Sequence, residues 1–176
     1  MENSFLKDYT VVDIETTGLS PQTNEIIELS AIKVREGKAV ENFTTLVKPQ
    51  GYINSYITNL TGITNEMVKN APSIESVLSA FCEFIADDCI MGHNVNFDLR
   101  FIKHNVQKHL SKDLLNESVD TVKVARKFCP KLQSYKLANL ANHFDIDSQG
   151  HHRALKDCEM TLNLYNKIIE SLKISK

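Results

Sequence analysis

Two acidic residues inside an otherwise apolar strand constrain this chain more than any other feature. Residues 9–19 (YTVVDIETTGL) are rich in β-branched residues and reach Gly18, the pattern of a strand that ends in a turn. Asp13 and Glu15 interrupt it two positions apart, so their side chains share one face, with Cα atoms roughly 6.5–7 Å apart. Two carboxylates at a sheet end repel each other, and no Lys or Arg in the run compensates them. A shared divalent cation would explain the pair, although a short motif of this kind also fits two strand-end residues facing water.

Composition predicts one domain spanning residues 1–176. Hydrophobic residues make up 42% and charged residues 24%, as in ordinary globular proteins. The formal net charge of −2 argues against a broad basic surface, so we expect any nucleic-acid contact to be local. The four cysteines lack C-x-x-C spacing, no apolar signal segment precedes Tyr9, and no run approaches the ~20 apolar residues of a membrane span. These features predict a reduced, cytoplasmic protein without a membrane segment.

The rest of the chain alternates strand and helix patterns. Residues 25–35 and 39–47 predict two strands joined as a hairpin around Gly37. Residues 89–91 predict a short buried strand that ends at Gly92 and follows a helical crossover. Two helices are predicted at 65–69, after Thr64, and at 74–85, after Ser73. Of the remaining predicted helices, one begins near Phe97, another ends at Phe128, a third spans 136–144, and the last begins just after His152.

A third acid, Asp98, follows the short strand in the segment GHNVNFD at 92–98. It lies where a strand passes into a helix, and open α/β sheets bind ligands beyond the carboxyl ends of their parallel strands. Taken alone, an Asp at this point is equally explained as complementing the positive end of a helix dipole.

The final segment adds a fourth acid and a histidine. Apolar residues recur at intervals of three and four after residue 153, which predicts a long amphipathic helix. Asp157 falls about 60° from the middle of the apolar stripe, so it flanks the buried face and can reach the sheet edge. His152 is predicted on the preceding loop, where it is free to approach an acidic site; an exposed loop histidine without a function is the alternative.

Positive charge concentrates between residues 123 and 136. Such a run is most often a solvated face, but it is also suited to guiding a phosphate backbone. Its members are Lys123, Arg126, Lys127, Lys131 and Lys136.

Together, in this order, the four acids and the histidine resemble the DEDDh 3′→5′ exonucleases, which include the epsilon-type proofreading subunits and domains of bacterial replicative DNA polymerases. Within that family the sequence is most similar to the exonuclease domain of Gram-positive polymerases. The resemblance implies a ribonuclease H-like α/β fold, with a five-stranded mixed sheet and helices on both faces. The matching segments are DIETTGL at 13–19, LTGIT at 60–64, HNVNFD at 93–98, DT at 120–121 and HHRALKD at 151–157.

The resemblance also implies a two-metal hydrolase that uses Mg²⁺ or Mn²⁺. Asp13 would bridge both ions, Glu15 and Asp157 would bind the ion that carries the attacking water, and Asp98 would bind the other. His152 would accept the proton of that water. The implied pocket for the 3′-terminal nucleotide consists of Thr16, Thr17, Gly18 and Leu19 near the sugar, Leu60, Gly62 and Ile63 against the base, and Phe97 beside the scissile phosphate.

Three functions remain open at this point. The first is a 3′→5′ exonuclease that releases nucleoside 5′-monophosphates from single-stranded or frayed DNA in proofreading or repair, with a DNA polymerase as a candidate partner. The second is an exoribonuclease that trims short RNA or RNA 3′ tails with the same acids. The third is a module that binds 3′ ends without cleaving them, although a histidine beside four acids argues against it.

Overall fold

The computed structural model describes residues 5–174, so the first four and the last two residues of the predicted domain lie outside the described residues. Its centre is a five-stranded mixed sheet in the order β3-β2-β1-β4-β5. β1 pairs antiparallel with β2, and β2 with β3, whereas β1, β4 and β5 run parallel. The strands are β1 Tyr9–Thr16, β2 Ile26–Arg35, β3 Lys38–Leu46, β4 Ile90–Gly92 and β5 Ser118–Asp120.

Helices cover both faces of the sheet. The helices are α1 Ser55–Thr61, α2 Asn65–Val68, α3 Ile74–Ile85, α4 Asn96–Leu110, α5 Thr121–Phe128, α6 Leu137–His143 and α7 Ala154–Ile174. Val12 and Ile14 of β1 pack with residues of α3 and α4, whereas Tyr9 and Val11 pack with residues of α7. The alternation of side chains along β1 therefore separates two cores, one on each face. The predicted ribonuclease H-like architecture is confirmed.

Most sequence predictions of single elements are confirmed to within a residue or two. The hairpin joins β2 and β3, the short apolar run forms β4, and the long amphipathic helix is α7. Thr64 caps α2 by accepting a hydrogen bond from the Met67 N–H. Ser73 precedes α3 as predicted, but its side chain makes no cap hydrogen bond.

Two elements escaped the residue pattern. α1 buries only Ile57 and Thr61, so it lacks the apolar stripe that identifies longer helices; its start depends on Asn54, whose side chain accepts from the Ile57 N–H. β5 has three residues, none of them buried, and it is a strand because it pairs with β4. Within residues 5–174 no helix combines the length and apolar character needed to cross a membrane.

Candidate active site

β1 places Asp13 and Glu15 on the face of the sheet that α7 covers. The odd-numbered residues that precede them in β1 pack against α7, and the period of two puts both carboxylates on that face. Both side chains are half-buried and lie beyond the last pairing of β1 with β4, which is Val11 with Met91. The prediction that the two carboxylates share a face is confirmed.

Asp98 meets the same strand from α4. It lies in the first turn of that helix and is 4% exposed. Its Oδ1 accepts a hydrogen bond of 3.1 Å from the backbone N–H of Ile14, the residue between Asp13 and Glu15. Complementing the helix dipole does not by itself explain this contact, which attaches the carboxylate to the strand segment between two other acids.

Asp157 completes the group from the first turn of α7, where it is 6% exposed. One oxygen from each of Asp13, Glu15 and Asp157 lies within 4.8 Å of the other two. The fold thus brings the four predicted acids from β1, α4 and α7 to one end of β1; we call Asp13, Glu15, Asp98 and Asp157 the acid cluster.

Burial and mutual repulsion make the charged acid cluster costly. Burial, followed by the nearby carboxylates, raises the pKa of Asp13 well above its usual range and that of Glu15 to about 8. Burial also raises the pKa of Asp98 to about 8, although backbone N–H donors oppose the rise. Within residues 5–174 no Lys or Arg forms an ion pair with the cluster. These closely spaced carboxylate oxygens are the donors that hard divalent cations such as Mg²⁺ and Mn²⁺ prefer.

Two histidines border the cluster where the sequence predicted one. His152 lies on the loop before α7 with a left-handed φ of 71°, and its backbone nitrogen is 3.4 Å from both oxygens of Asp157. Its ring stacks on that of His151, with centroids 3.8 Å apart. The direct side-chain contact belongs to His151, whose Nδ1 lies 2.6 Å from Oδ1 of Asp157. Burial and the neighbouring His151 lower the pKa of His152.

His93 is a structural histidine beside the cluster. Its Nε2 lies 2.8 Å from the carbonyl oxygen of Tyr135, and its Nδ1 lies 2.9 Å from Oγ1 of Thr121. Because a carbonyl can only accept, Nε2 carries the hydrogen, and Nδ1 of the neutral ring is then an acceptor that shares the single Thr121 hydroxyl hydrogen with the carbonyl of Gly92, 3.2 Å from the same oxygen. Burial lowers the pKa of His93, which agrees with this neutral form. Both ring nitrogens are thereby engaged, so His93 supports the site wall.

An open cleft joins the acids and histidines to part of the predicted basic run. Asp13, Asp157 and the two loop histidines line it together with Arg126 and Lys136. Of the basic run between residues 123 and 136, these two side chains therefore face the site. The guanidinium of Arg126 also lies 4.8 Å from the ring centroid of Tyr135, which holds it at the cleft.

The residues predicted to hold a terminal nucleotide fall into two groups. Leu19 is 79% and Leu60 41% exposed, so both offer apolar surface. Thr17 is fixed to Glu25 by two hydrogen bonds, one from its backbone N–H and one to its hydroxyl oxygen. The Ile63 side chain differs, since it is fully buried and has no surface to offer a base. We therefore assign Ile63 to the apolar packing beneath the predicted nucleotide pocket.

The other members of the predicted pocket are placed as follows. Thr16 is buried and its hydroxyl donates to the carbonyl of Gly18, which closes the turn after β1. Gly62 ends α1 with a φ of 74°, a conformation that favours glycine. Phe97 is half-buried, with its ring centroid 5.2 Å from that of Phe101.

Comparison with known proteins places this geometry in a family. The exonuclease family model RNase_T matches residues 10–165, a range that contains the whole acid cluster. The chain belongs to this exonuclease family. As an RNase_T-family exonuclease it is 41% identical over 164 residues to the DNA polymerase III subunit epsilon of Aquifex aeolicus, covering 93% of this chain and 81% of that protein.

Two further similarities describe the context of this exonuclease domain. It is 43% identical over 172 residues to the PolC-type DNA polymerase III of Caldanaerobacter subterraneus subsp. tengcongensis, covering 98% of this chain but 12% of that protein. Among solved structures, Exonuclease X in complex with 5′-overhanging duplex DNA superimposes with a TM-score of 0.75 at 28% identity, covering 92% of this chain and 91% of that one. The resemblance to polymerase-type exonucleases is confirmed.

Proposed function

We propose that this RNase_T-family exonuclease removes single nucleotides, as nucleoside 5′-monophosphates, from the 3′ end of single-stranded or frayed DNA. The observation that carries the proposal is the acid cluster, in which carboxylates from β1, α4 and α7 converge without an ion pair to a Lys or Arg of residues 5–174. The names of the epsilon and PolC-type relatives support DNA as the polymer and proofreading or repair as the setting.

The donor set suits two divalent cations, Mg²⁺ or Mn²⁺. Asp13 would be the ligand that serves both ions, with Glu15 and Asp157 as the other ligands of one and Asp98 of the other; oxygens of Asp13, Glu15 and Asp157 lie within 4.8 Å of one another, and the charge of Asp98 acts on Asp13. When bound, such ions supply an activated water and stabilise the departing 3′ oxygen. The raised pKa values of Asp13, Glu15 and Asp98 mean that their ionised forms are unfavourable without a cation. A bound cation would relieve this cost because it favours the ionised form of each carboxylate, which supports the proposed role.

His152 is the proposed general base. A lowered pKa keeps its imidazole neutral near pH 7, the form that can accept a proton from the attacking water. Its position on a short loop beside Asp157 puts it at the edge of the acid cluster. His151 stacks on it and restricts the orientation of its ring.

The turn after β1 and the end of α1 are proposed to receive the terminal nucleotide. Exposed Leu19 and Leu60 can pack against any base, which favours single strands and little sequence preference. Arg126 and Lys136 line the cleft that contains Asp13 and Asp157, and they suit the backbone phosphates of the same strand. Phe97 is proposed to stand beside the scissile phosphate.

A DNA polymerase is the proposed partner, because the relatives that match nearly all of this chain are named as polymerase III components. We further propose that residues 1–176 act as one exonuclease domain and that it works in the cytoplasm. Co-purification with a polymerase subunit tests the first point, and activity of the isolated chain tests the second.

The central experiment is a time course of cleavage on DNA and RNA oligonucleotides of one sequence, labelled at either end, with Mg²⁺, Mn²⁺ or EDTA. We expect a stepwise ladder that shortens from the 3′ end of DNA, is absent in EDTA and is lost in Asp13→Ala. His152→Ala should retain binding and lose most of the rate.

Matched control variants distinguish the loss of a site residue from a general effect of substitution on the protein. His143→Ala removes an exposed histidine, and Asp87→Ala an exposed aspartate, so both should cleave like the wild type. Faster cleavage of RNA than of DNA would assign the enzyme to RNA ends. Binding of both polymers without cleavage in either metal would show that the chain is an end-binding module.

A further inference from the structure

An ion pair between a buried glutamate and a partly exposed arginine, which the catalytic scheme does not use, lies next to the histidine loop. Glu28 of β2 is 3% exposed and stands opposite Glu15 in the antiparallel pairing of β1 with β2. The guanidinium of Arg153 grips it, with Nη2 2.7 Å from Oε1 and Nε 3.1 Å from Oε2. The backbone N–H of Ala154 donates to Oε2 at 2.9 Å. Two consecutive residues, Arg153 and Ala154, thus donate hydrogen bonds to the two oxygens of the buried Glu28 carboxylate.

These two residues connect the loop to α7. Arg153 directly follows His152, and Ala154 is the first residue of α7. The Arg153 carbonyl also accepts the helical hydrogen bond from the Asp157 N–H at 3.0 Å. Glu28, on an inner strand of the sheet, therefore fixes the chain immediately after His152 in two ways, because its carboxylate accepts from the Arg153 guanidinium and from the backbone N–H of Ala154.

His152 needs such an anchor because its backbone is strained. Its φ of 71° lies in the left-handed region, which a residue with a Cβ adopts only when its surroundings hold it there. One neighbour of His152 is the ion-paired Arg153, and on the other side His151 bonds to Asp157. Without the grip on Arg153, the loop would be free to relax to an ordinary φ, and the imidazole would turn away from Asp157.

We propose that the Glu28–Arg153 pair positions His152 for its work as the general base, so that Glu28 is a positioning residue in β2 for a histidine 124 residues later in the chain. The proposal rests on the proposed exonuclease function for its kinetic consequence, but the orientation of His152 can be measured without activity. The charge of Arg153 also lowers the pKa of Glu15, but its side-chain hydrogen bonds go to Glu28.

The kinetic test is a double-mutant cycle on a single-stranded DNA substrate, with thermal melting of every variant. We expect Glu28→Gln to lower kcat by roughly 100-fold with KM nearly unchanged, because a small displacement of a catalytic group has effects of that size. In a His152→Ala background, assayed with Mn²⁺ at high enzyme concentration, the same change should lower kcat by less than about threefold. Equal losses in both backgrounds would overturn the proposal.

The structural test is the NMR signal of the His152 ring, assigned by comparison with His152→Ala. Glu28→Gln should shift or broaden this signal while most other resonances stay in place. Glu41→Gln, at an exposed position of β3, should change neither the signal nor kcat. An unaltered His152 signal in folded Glu28→Gln would overturn the proposal even if the rate fell.

The two tests separate the proposals from each other. A displaced His152 ring in a protein that cleaves nothing would leave the positioning role standing and remove the exonuclease function. If Glu28→Gln fails to fold, Arg153→Lys and Arg153→Met replace it. Lysine keeps the charge without the fork, so it should retain a kcat between those of wild type and Arg153→Met; equal values for all three would overturn the proposal.

Discussion

Carboxylates near the two ends of β1 have opposite electrostatic surroundings. Near its start, Asp88 accepts from Nη2 of Arg35 at 2.9 Å to each oxygen and from the Thr10 hydroxyl at 2.6 Å. At its far end the four carboxylates of the acid cluster meet without an ion pair to any Lys or Arg in residues 5–174. The first end has its counter-ion within the chain, whereas the second groups carboxylates that could hold a divalent cation.

This difference distinguishes a stabilising site from a ligand set. A carboxylate with its own guanidinium is satisfied by the folded chain alone, so its removal affects stability. Carboxylates that raise one another's pKa oppose folding in their charged form and favour whatever neutralises them. The acid cluster should thus matter for activity and metal affinity, and Asp88 for stability.

Asp13→Asn should give the largest effect. If Asp13 is the shared ligand proposed above, its loss removes several kcal/mol of transition-state stabilisation, so kcat should fall by ~1,000-fold or more. Stability in EDTA should hold or rise, because one of the repelling carboxylates is gone. Steady-state cleavage and thermal melting measure the two quantities; a clear loss of stability in EDTA would contradict the comparison.

Metal binding should come next in size. Mg²⁺ or Mn²⁺ at 100 times its dissociation constant should raise the free energy of unfolding by ~2.7 kcal/mol through its preference for the folded state. Asp13→Asn should abolish most of this gain, and Asp88→Asn should preserve it. Melting curves with increasing cation test this, and a similar gain in Asp13→Asn would place the cation elsewhere.

Asp88→Asn should lower the free energy of unfolding by about 2 kcal/mol, because it removes the charge of a largely buried carboxylate that pairs with the half-buried guanidinium of Arg35. Cleavage by the folded variant should stay within about twofold of wild type, since Asp88 lies at the other end of β1. Denaturant unfolding measures the loss, and Asp87→Asn is the matched control because Asp87 is exposed. An equal loss in both variants would remove the assigned role of the pair.

The last prediction concerns pH. Folding raises the pKa of Glu15 from 4.5, and that of Asp98 from 3.8, to about 8 in the cation-free protein. Between these values the folded state holds more protons than the unfolded state, so this part of the stability is present at low pH and lost as pH rises toward 8. Melting temperatures in EDTA should therefore fall over this range, and less steeply in Glu15→Gln.

Excess Mg²⁺ should reduce the same pH slope, because the cation stabilises the ionised carboxylates. A slope that is unchanged both by Mg²⁺ and by Glu15→Gln would show that other groups control it.

Much of the fold could be predicted because its elements carry local signals. β-branched runs, the Gly37 turn and the apolar stripe of α7 each identify an element without knowledge of its neighbours. α1 and β5 were missed for a common reason, because both are short and bury few residues or none. The start of α1 depends on its cap, and β5 is a strand only through its pairing with β4.

The site divides in the same way. The acids and His152 were identified through their spacing and the family resemblance, but His151 was noted only as part of a doublet. Glu28 and Arg153 were missed, although Arg153 stands inside the third motif, because two single charges 125 residues apart give no pattern that predicts a contact.

The sequence by itself determined which groups exist and which way they point within an element, because bond geometry sets the periods of strand and helix. That was enough to place Asp13 and Glu15 on one face and Asp157 beside the buried stripe of α7. Only the tertiary structure decided that the Asp98 carboxylate bonds to Ile14, 84 residues away. It also decided that Arg153 pairs with Glu28, since distances between elements follow from the packing of whole cores.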